Sequence, residues 1–140
     1  MKFRLLSALA ALALSTPAMA AAPITGKWLT TERDSIIEIA PCASGLCGTI
    51  LRVLKVGPAG QTTDSNNPVV ALRTRPLVGI VILTGFADSG SDWRGRIYDP
   101  RSGRSYKSIV SHNPDGTLKV QGCIGFICRT LVWTAARNRP

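Results

Sequence analysis

The chain has 140 residues, with 17 Lys or Arg against 8 Asp or Glu and a single His, a formal charge of +9. That length fits one domain with a real core and excludes two independent ones. One histidine and few carboxylates leave little material for acid–base catalysis, whereas the positive excess favours anionic partners.

At the start of the chain, Lys2 and Arg4 precede an apolar run from Leu5 to Leu14 that is interrupted only by Ser7. Thr16-Pro17-Ala18-Met19-Ala20 follows with small-x-small spacing. This is the pattern of a secretion signal cut after Ala20. The apolar run is about half the roughly 20 residues that a membrane-spanning helix needs, and no cysteine follows it to carry a lipid. Residues 1–20 are therefore expected to be removed, leaving residues 21–140 as a single periplasmic or secreted domain. Loss of Lys2 and Arg4 lowers the formal charge from +9 to +7. Export, scattered arginines and the absence of a nucleic-acid motif argue against nucleic acid. No later stretch is long and apolar enough for a transmembrane helix, so an integral membrane protein is not expected.

The remaining chain reads as short β-rich runs between Gly, Pro, Asn and Asp turns. Ile24–Thr31 is the first, with Trp28 at its centre. Ile36–Ala40 ends at Pro41, which cannot donate to a ladder, and Leu46–Val56 is the third. Gly57–Pro76 is a long irregular connection, a length that compact domains rarely carry without a use. Within it, Asn67 can cap and Pro68 can open a short helical turn. Leu77–Phe86 is apolar on both faces and so is expected to be covered on both, by the connection or by a partner.

In Trp93–Asp99 the residues Trp93, Gly95 and Ile97 alternate with Arg94, Arg96 and Tyr98. Asp99-Pro100-Arg101-Ser102-Gly103 is a hairpin turn that returns the chain through Arg104–Val110. Asn113-Pro114-Asp115-Gly116 is the next turn, and Thr117–Cys123 and Ile127–Ala135 complete the series. The expected fold is all-β: a small antiparallel up-and-down barrel of about eight strands. Consecutive C-terminal hairpins favour it over a sandwich. Such a barrel is either filled by side chains or holds one small ligand. Trp28 and Trp133 are expected in the core, near one another where the first and last strands meet.

Cys42-Ala-Ser-Gly-Leu-Cys47 and Cys123-Ile-Gly-Phe-Ile-Cys128 each place two thiols five residues apart. Four cysteines permit three pairings. Gly125-Phe126 as a two-residue turn sets Cys123 opposite Cys128, at a separation that a disulfide spans. A flexible Gly45 lets Cys42 reach Cys47. Local disulfides are therefore the favoured reading. A redox centre normally uses Cys-x-x-Cys at a helix start, and the spacing only just admits zinc.

No catalytic constellation is expected. His112 sits beside a turn, with Ser111 on the opposite face of the strand. The carboxylates lie mostly in turns that explain them, and Gly57-Pro58-Ala59-Gly60 lacks the lysine of a phosphate loop. Asp64, Asn66 and Asn67 offer oxygens to Ca²⁺, but a capped turn accounts for them more simply. No metal or cofactor is expected. Arg94, Arg96 and Tyr98 form the best polar row, outward if Trp93 and Ile97 face inward. Arg73 and Arg75 lie where the connection could carry them across a barrel mouth.

In order along the chain, these residues resemble the DUF2147 family of uncharacterised exported bacterial proteins. The likeness runs through Gly26-Lys27-Trp28, Ile39-Ala40-Pro41-Cys42, Leu46-Cys47-Gly48-Thr49-Ile50 and Asp64-Ser65-Asn66-Asn67-Pro68. It continues in Leu72-Arg73-Thr74-Arg75-Pro76, Trp93-Arg94-Gly95-Arg96-Ile97-Tyr98-Asp99-Pro100 and Asp115-Gly116-Thr117-Leu118, ending at Arg129-Thr130 and Trp133. Gly26-x-Trp28 is also similar to the opening of lipocalins, which implies that Arg129 packs over that tryptophan. The expectation is non-covalent binding of a small or amphiphilic molecule, with Arg73, Arg75, Arg96, Tyr98 and Trp28 as candidate contacts. The alternative is a structural or interaction module of the envelope that meets an anionic component or a protein around Ile80.

Overall fold

The computed structural model describes residues 12–137. The charged start and first half of the proposed secretion signal, residues 1–11, and the last three residues of the basic tail lie outside them. Eight antiparallel strands close a barrel in sequence order. They are β1 (Gly26–Leu29), β2 (Ser35–Cys42), β3 (Gly45–Val53), β4 (Val81–Asp88), β5 (Trp93–Asp99), β6 (Arg104–His112), β7 (Leu118–Ile124) and β8 (Ile127–Ala135). Each strand pairs with the next in sequence through a turn, except that the connection of residues 54–80 links β3 to β4. The closing seam is short: β1 meets β8 only at Trp28↔Ala135 and Leu29↔Thr134. Among the described residues no helix is long and apolar enough to cross a membrane.

Alternation along each strand turns one set of side chains inward. Ile37 and Ile39 from β2, Ile50 from β3, Leu83 and Phe86 from β4, Val110, Leu118 and Val120 fill the interior, with Trp28 and Trp133 among them. Burial of each such large side chain contributes about 1.5–3 kcal/mol. The filling is tight at Gly95, where a Cβ would lie 2.6 Å from the Phe86 ring. Ser108 and Gly122 sit beside Gly95 on β6 and β7, so a row of small residues gives room for that ring. Ser108 Oγ and Trp133 Nε1 are buried and have no hydrogen-bond partner among the described residues.

Several element boundaries differ from the sequence reading. Pro41 does not end the second strand: β2 runs on to Cys42, with Pro41 opposite Leu46 and Cys42 opposite Gly45. The first strand is shorter than Ile24–Thr31 because Ile24 leaves the ladder and is fully buried in the core. Trp28 Nε1 donates to its carbonyl at 2.9 Å. The third strand stops at Val53, since the amides of Leu54 and Lys55 turn to the Asp34 carbonyl. The fourth begins at Val81 because a turn, Ile80 N to Leu77 O, occupies the preceding residues.

The two-sided character of this fourth segment has a local cause. The β3–β4 register shifts around Gly48, and the consecutive residues Ile82 and Leu83 are both buried. Ile80 is buried too, so it offers no surface to a partner, whereas Val78 and Val81 are exposed. In the connection, a single 3₁₀ turn covers Val70–Leu72, two residues later than expected. Asn67 Oδ1 instead accepts from the Val69 amide, an Asx-type turn that shifts the helical start.

Candidate functional site

Strand register builds a polar–apolar row on the outside of the barrel. Thr84 of β4 pairs with Arg96 of β5, Arg96 with Lys107 of β6, Lys107 with Cys123 of β7, and Cys123 with Cys128 of β8. The two cations therefore stand directly opposite each other, a placement that repulsion disfavours. Among the described residues neither forms an ion pair with a carboxylate. Arg94, two pairs along the strand, differs: it bonds Asp92 at 2.9 Å, and that hydrogen bond holds the Asp92 carboxyl below its ordinary 3.8.

Beside the cations lies an apolar wall. The Cys123–Cys128 disulfide clips the β7–β8 hairpin, whose tip, Ile124-Gly125-Phe126-Ile127, is exposed, with the Phe126 ring fully so. Tip and sheet together enclose an open depression of about 760 Å³, lined among others by Arg94, Arg96, Lys107, Ile109 and Phe126. A cationic floor with an apolar overhang can hold an anion joined to a hydrocarbon. The other disulfide, Cys42–Cys47, clips the polar β2–β3 turn. A second depression of about 780 Å³ lies over Lys27, Arg33, Arg52 and Leu54, but Asp115 shares its wall.

The long connection ends in a buried network instead of an open pocket. Asp64 is 0 % exposed. Its carboxylate accepts from Tyr98 Oη at 2.6 Å, Asn67 Nδ2 at 2.7 Å and Arg75 Nη2 at 2.8 Å. Burial alone would raise this carboxyl, but the hydrogen bonds from Tyr98, Asn67 and Arg75, with the arginine's charge, outweigh it and leave it below 3.8. Tyr98, desolvated and bonded to an anion, is pushed up to about 12. Gly103 lets the connection lie on the β5–β6 hairpin, because a Cβ there would stand 1.8 Å from Asn66 O.

The five candidate contacts thus lie in three places. Arg75 and Tyr98 converge on Asp64, and Arg73 joins them through its Nε bond to the Asn67 carbonyl. Arg96 lies on the outer row, and Trp28 is in the core with the His112 ring edge-on at 5.7 Å. Asp64, Asn66 and Asn67 do not converge as a Ca²⁺ cage: the guanidinium of Arg75 supplies the positive charge, and Asn66 Nδ2 bonds the Arg101 carbonyl. Arg129 does not cover Trp28. It pairs with Gly122, six residues or about 20 Å along β8 from Ala135.

Lys107 and Phe126 are the site residues that the sequence reading missed. The Asp99–Gly103 turn carried the signal for Lys107, since counting back from that hairpin sets it opposite Arg96.

The barrel is similar to protein HP1028 from the human pathogen Helicobacter pylori, which belongs to the lipocalin family. The TM-score is 0.70 at 21% identity, covering 84% of this chain and 86% of that one, a likeness of fold. No curated protein matches the chain. A family model described as an uncharacterized protein conserved in bacteria, DUF2147, matches residues 26–135; that span takes in all eight strands, and the chain belongs to this family.

Proposed function

We propose that this protein is an exported, periplasmic barrel that binds an anionic amphiphile non-covalently on its outer face. The observation that carries the reading is the Arg96–Lys107 pair, two facing cations without a carboxylate, beside the exposed tip at Phe126. An anionic head group relieves their repulsion, and the hairpin tip and Ile109 cover the chain. The packed interior directs the ligand outside, and Arg75 and Tyr98 act by holding the long connection in place.

Native mass spectrometry of the mildly extracted protein, with a long-chain fatty acid added as probe, tests this. Retained amphiphile in the native chain and its loss in Arg96→Ala and Lys107→Ala support it. Equal retention in all three, or none in any, overturns it. A second reading, an interaction module of the envelope, rests on the same apolar tip. It calls for in-cell crosslinks from Phe126 to a protein or envelope polymer.

A further inference from the structure

The segment before β1 changes character at one peptide bond. Residues 12–20 are exposed and lie outside any helix or strand, whereas Ala21 is only 8 % exposed and Ile24 is fully buried. From Ala21 onward each residue is tied to a different strand. Ala21 N donates to both Asp88 oxygens, at 3.0 and 3.1 Å. The Ala22 carbonyl accepts from Trp93 Nε1, the Pro23 carbonyl bonds His112 Nδ1, and the Ile24 carbonyl accepts from Trp28 Nε1, each at 2.9 Å. Residues 21–24 thereby close one mouth of the barrel.

The Asp88 contact is mismatched to an amide. An amide nitrogen has one hydrogen to share between two oxygens, whereas an ammonium has three and carries the complementary charge. Asp88 also accepts from the Gly90 amide at 2.8 Å, which fixes the carboxylate's orientation, and among the described residues it forms no ion pair with Lys, Arg or His.

We infer that the bond between Ala20 and Ala21 is the processing site, and that Asp88 is the receptor for the α-ammonium released there. An endopeptidase adds water across this bond. The C–N bond breaks, Ala20 leaves with a carboxylate, and the Ala21 nitrogen gains protons to become an ammonium. A shared hydrogen bond in the precursor becomes an ion pair in the mature chain, so removal of the leader tightens the closed mouth. The arrangement is separate from the outer-face site and stands without it.

The test begins with the full chain expressed in a secreting bacterium and purified from the exported fraction. Intact mass should show a chain that starts at Ala21; a start at Ala22 or Pro23, or a retained leader, overturns the inference. Thermal unfolding then compares the chain starting at Ala21 with one carrying an extra Gly in front, each with Asp88 and with Asp88→Asn. Asn retains an acceptor for Gly90 and removes the charge. The added Gly should lower Tm by about 4 °C with Asp88 present and by no measurable amount with Asp88→Asn. An equal drop in both backgrounds, or no drop in either, overturns it.

Discussion

The two mouths of the barrel are closed by different chemistry. At one, side chains do the work: Asp64 gathers Tyr98, Asn67 and Arg75 inside the long connection. At the other, the chain itself is the plug, and indole and imidazole nitrogens hold the backbone carbonyls of residues 22–24. The first closure depends on protonation state and on one carboxylate. The second depends on where the mature chain begins, on the Asp88 carboxylate and on three aromatic side chains.

The largest separation between the two should come from Asp64→Ala. It leaves a guanidinium, a phenol and an amide without their shared acceptor. Loss of a buried ionic partner costs about 3–5 kcal/mol, and the partial exposure of Arg75 reduces this to about 2–4 kcal/mol. Urea unfolding measures it; a change below about 0.5 kcal/mol would mean the network does not hold the connection.

The same mouth should respond to pH at both ends of the scale. Tyr98 is raised from 10.0 to about 12, so its contribution is complete below pH 10 and disappears as pH rises toward 12. Asp64 is lowered, so its contribution is present above 3.8 and disappears as pH falls through its lower folded value. Tm against pH for the native chain and Tyr98→Phe checks this. The alkaline decline should flatten in the variant, and an unchanged slope would contradict the assignment.

Barrel closure, both disulfides and the inward tryptophans were legible in the sequence because each has a local signature: period-two alternation, tight turns and cysteines five apart. The Asp64 network was not. Tyr98 lies 34 residues from Asp64, and no spacing rule links a strand tyrosine to a loop aspartate. The place of Ile24 is hidden for a related reason, since an apolar residue that plugs a mouth has the same appearance in the sequence as one that extends a strand.

At the second mouth, Trp28→Phe keeps a six-membered aromatic ring but removes the pyrrole and with it the donor to the Ile24 carbonyl. A buried acceptor left alone costs about 1–2 kcal/mol, measurable by urea unfolding. No loss would show that packing alone seats the plug. The smallest expected effect on stability is Phe126→Ser, within about 0.5 kcal/mol because the ring touches water on all sides. That same change should weaken fatty-acid binding about tenfold, because it removes much of the apolar wall. Unchanged affinity would move the ligand away from the hairpin.

The two-pair seam between β1 and β8 has a kinetic meaning. All other strand pairings join sequence neighbours, six of them through turns and the β3–β4 pair through the connection of residues 54–80, whereas the Thr31–Val132 contact beside the seam spans 101 residues. Closing so long a loop rewards the chain only once the other strands are assembled. The seam is therefore expected to form after the rate-limiting step. Substitutions at Leu29 or Thr134 should accelerate unfolding and leave the folding rate almost untouched, which makes this seam the place where the lifetime of the folded barrel is set.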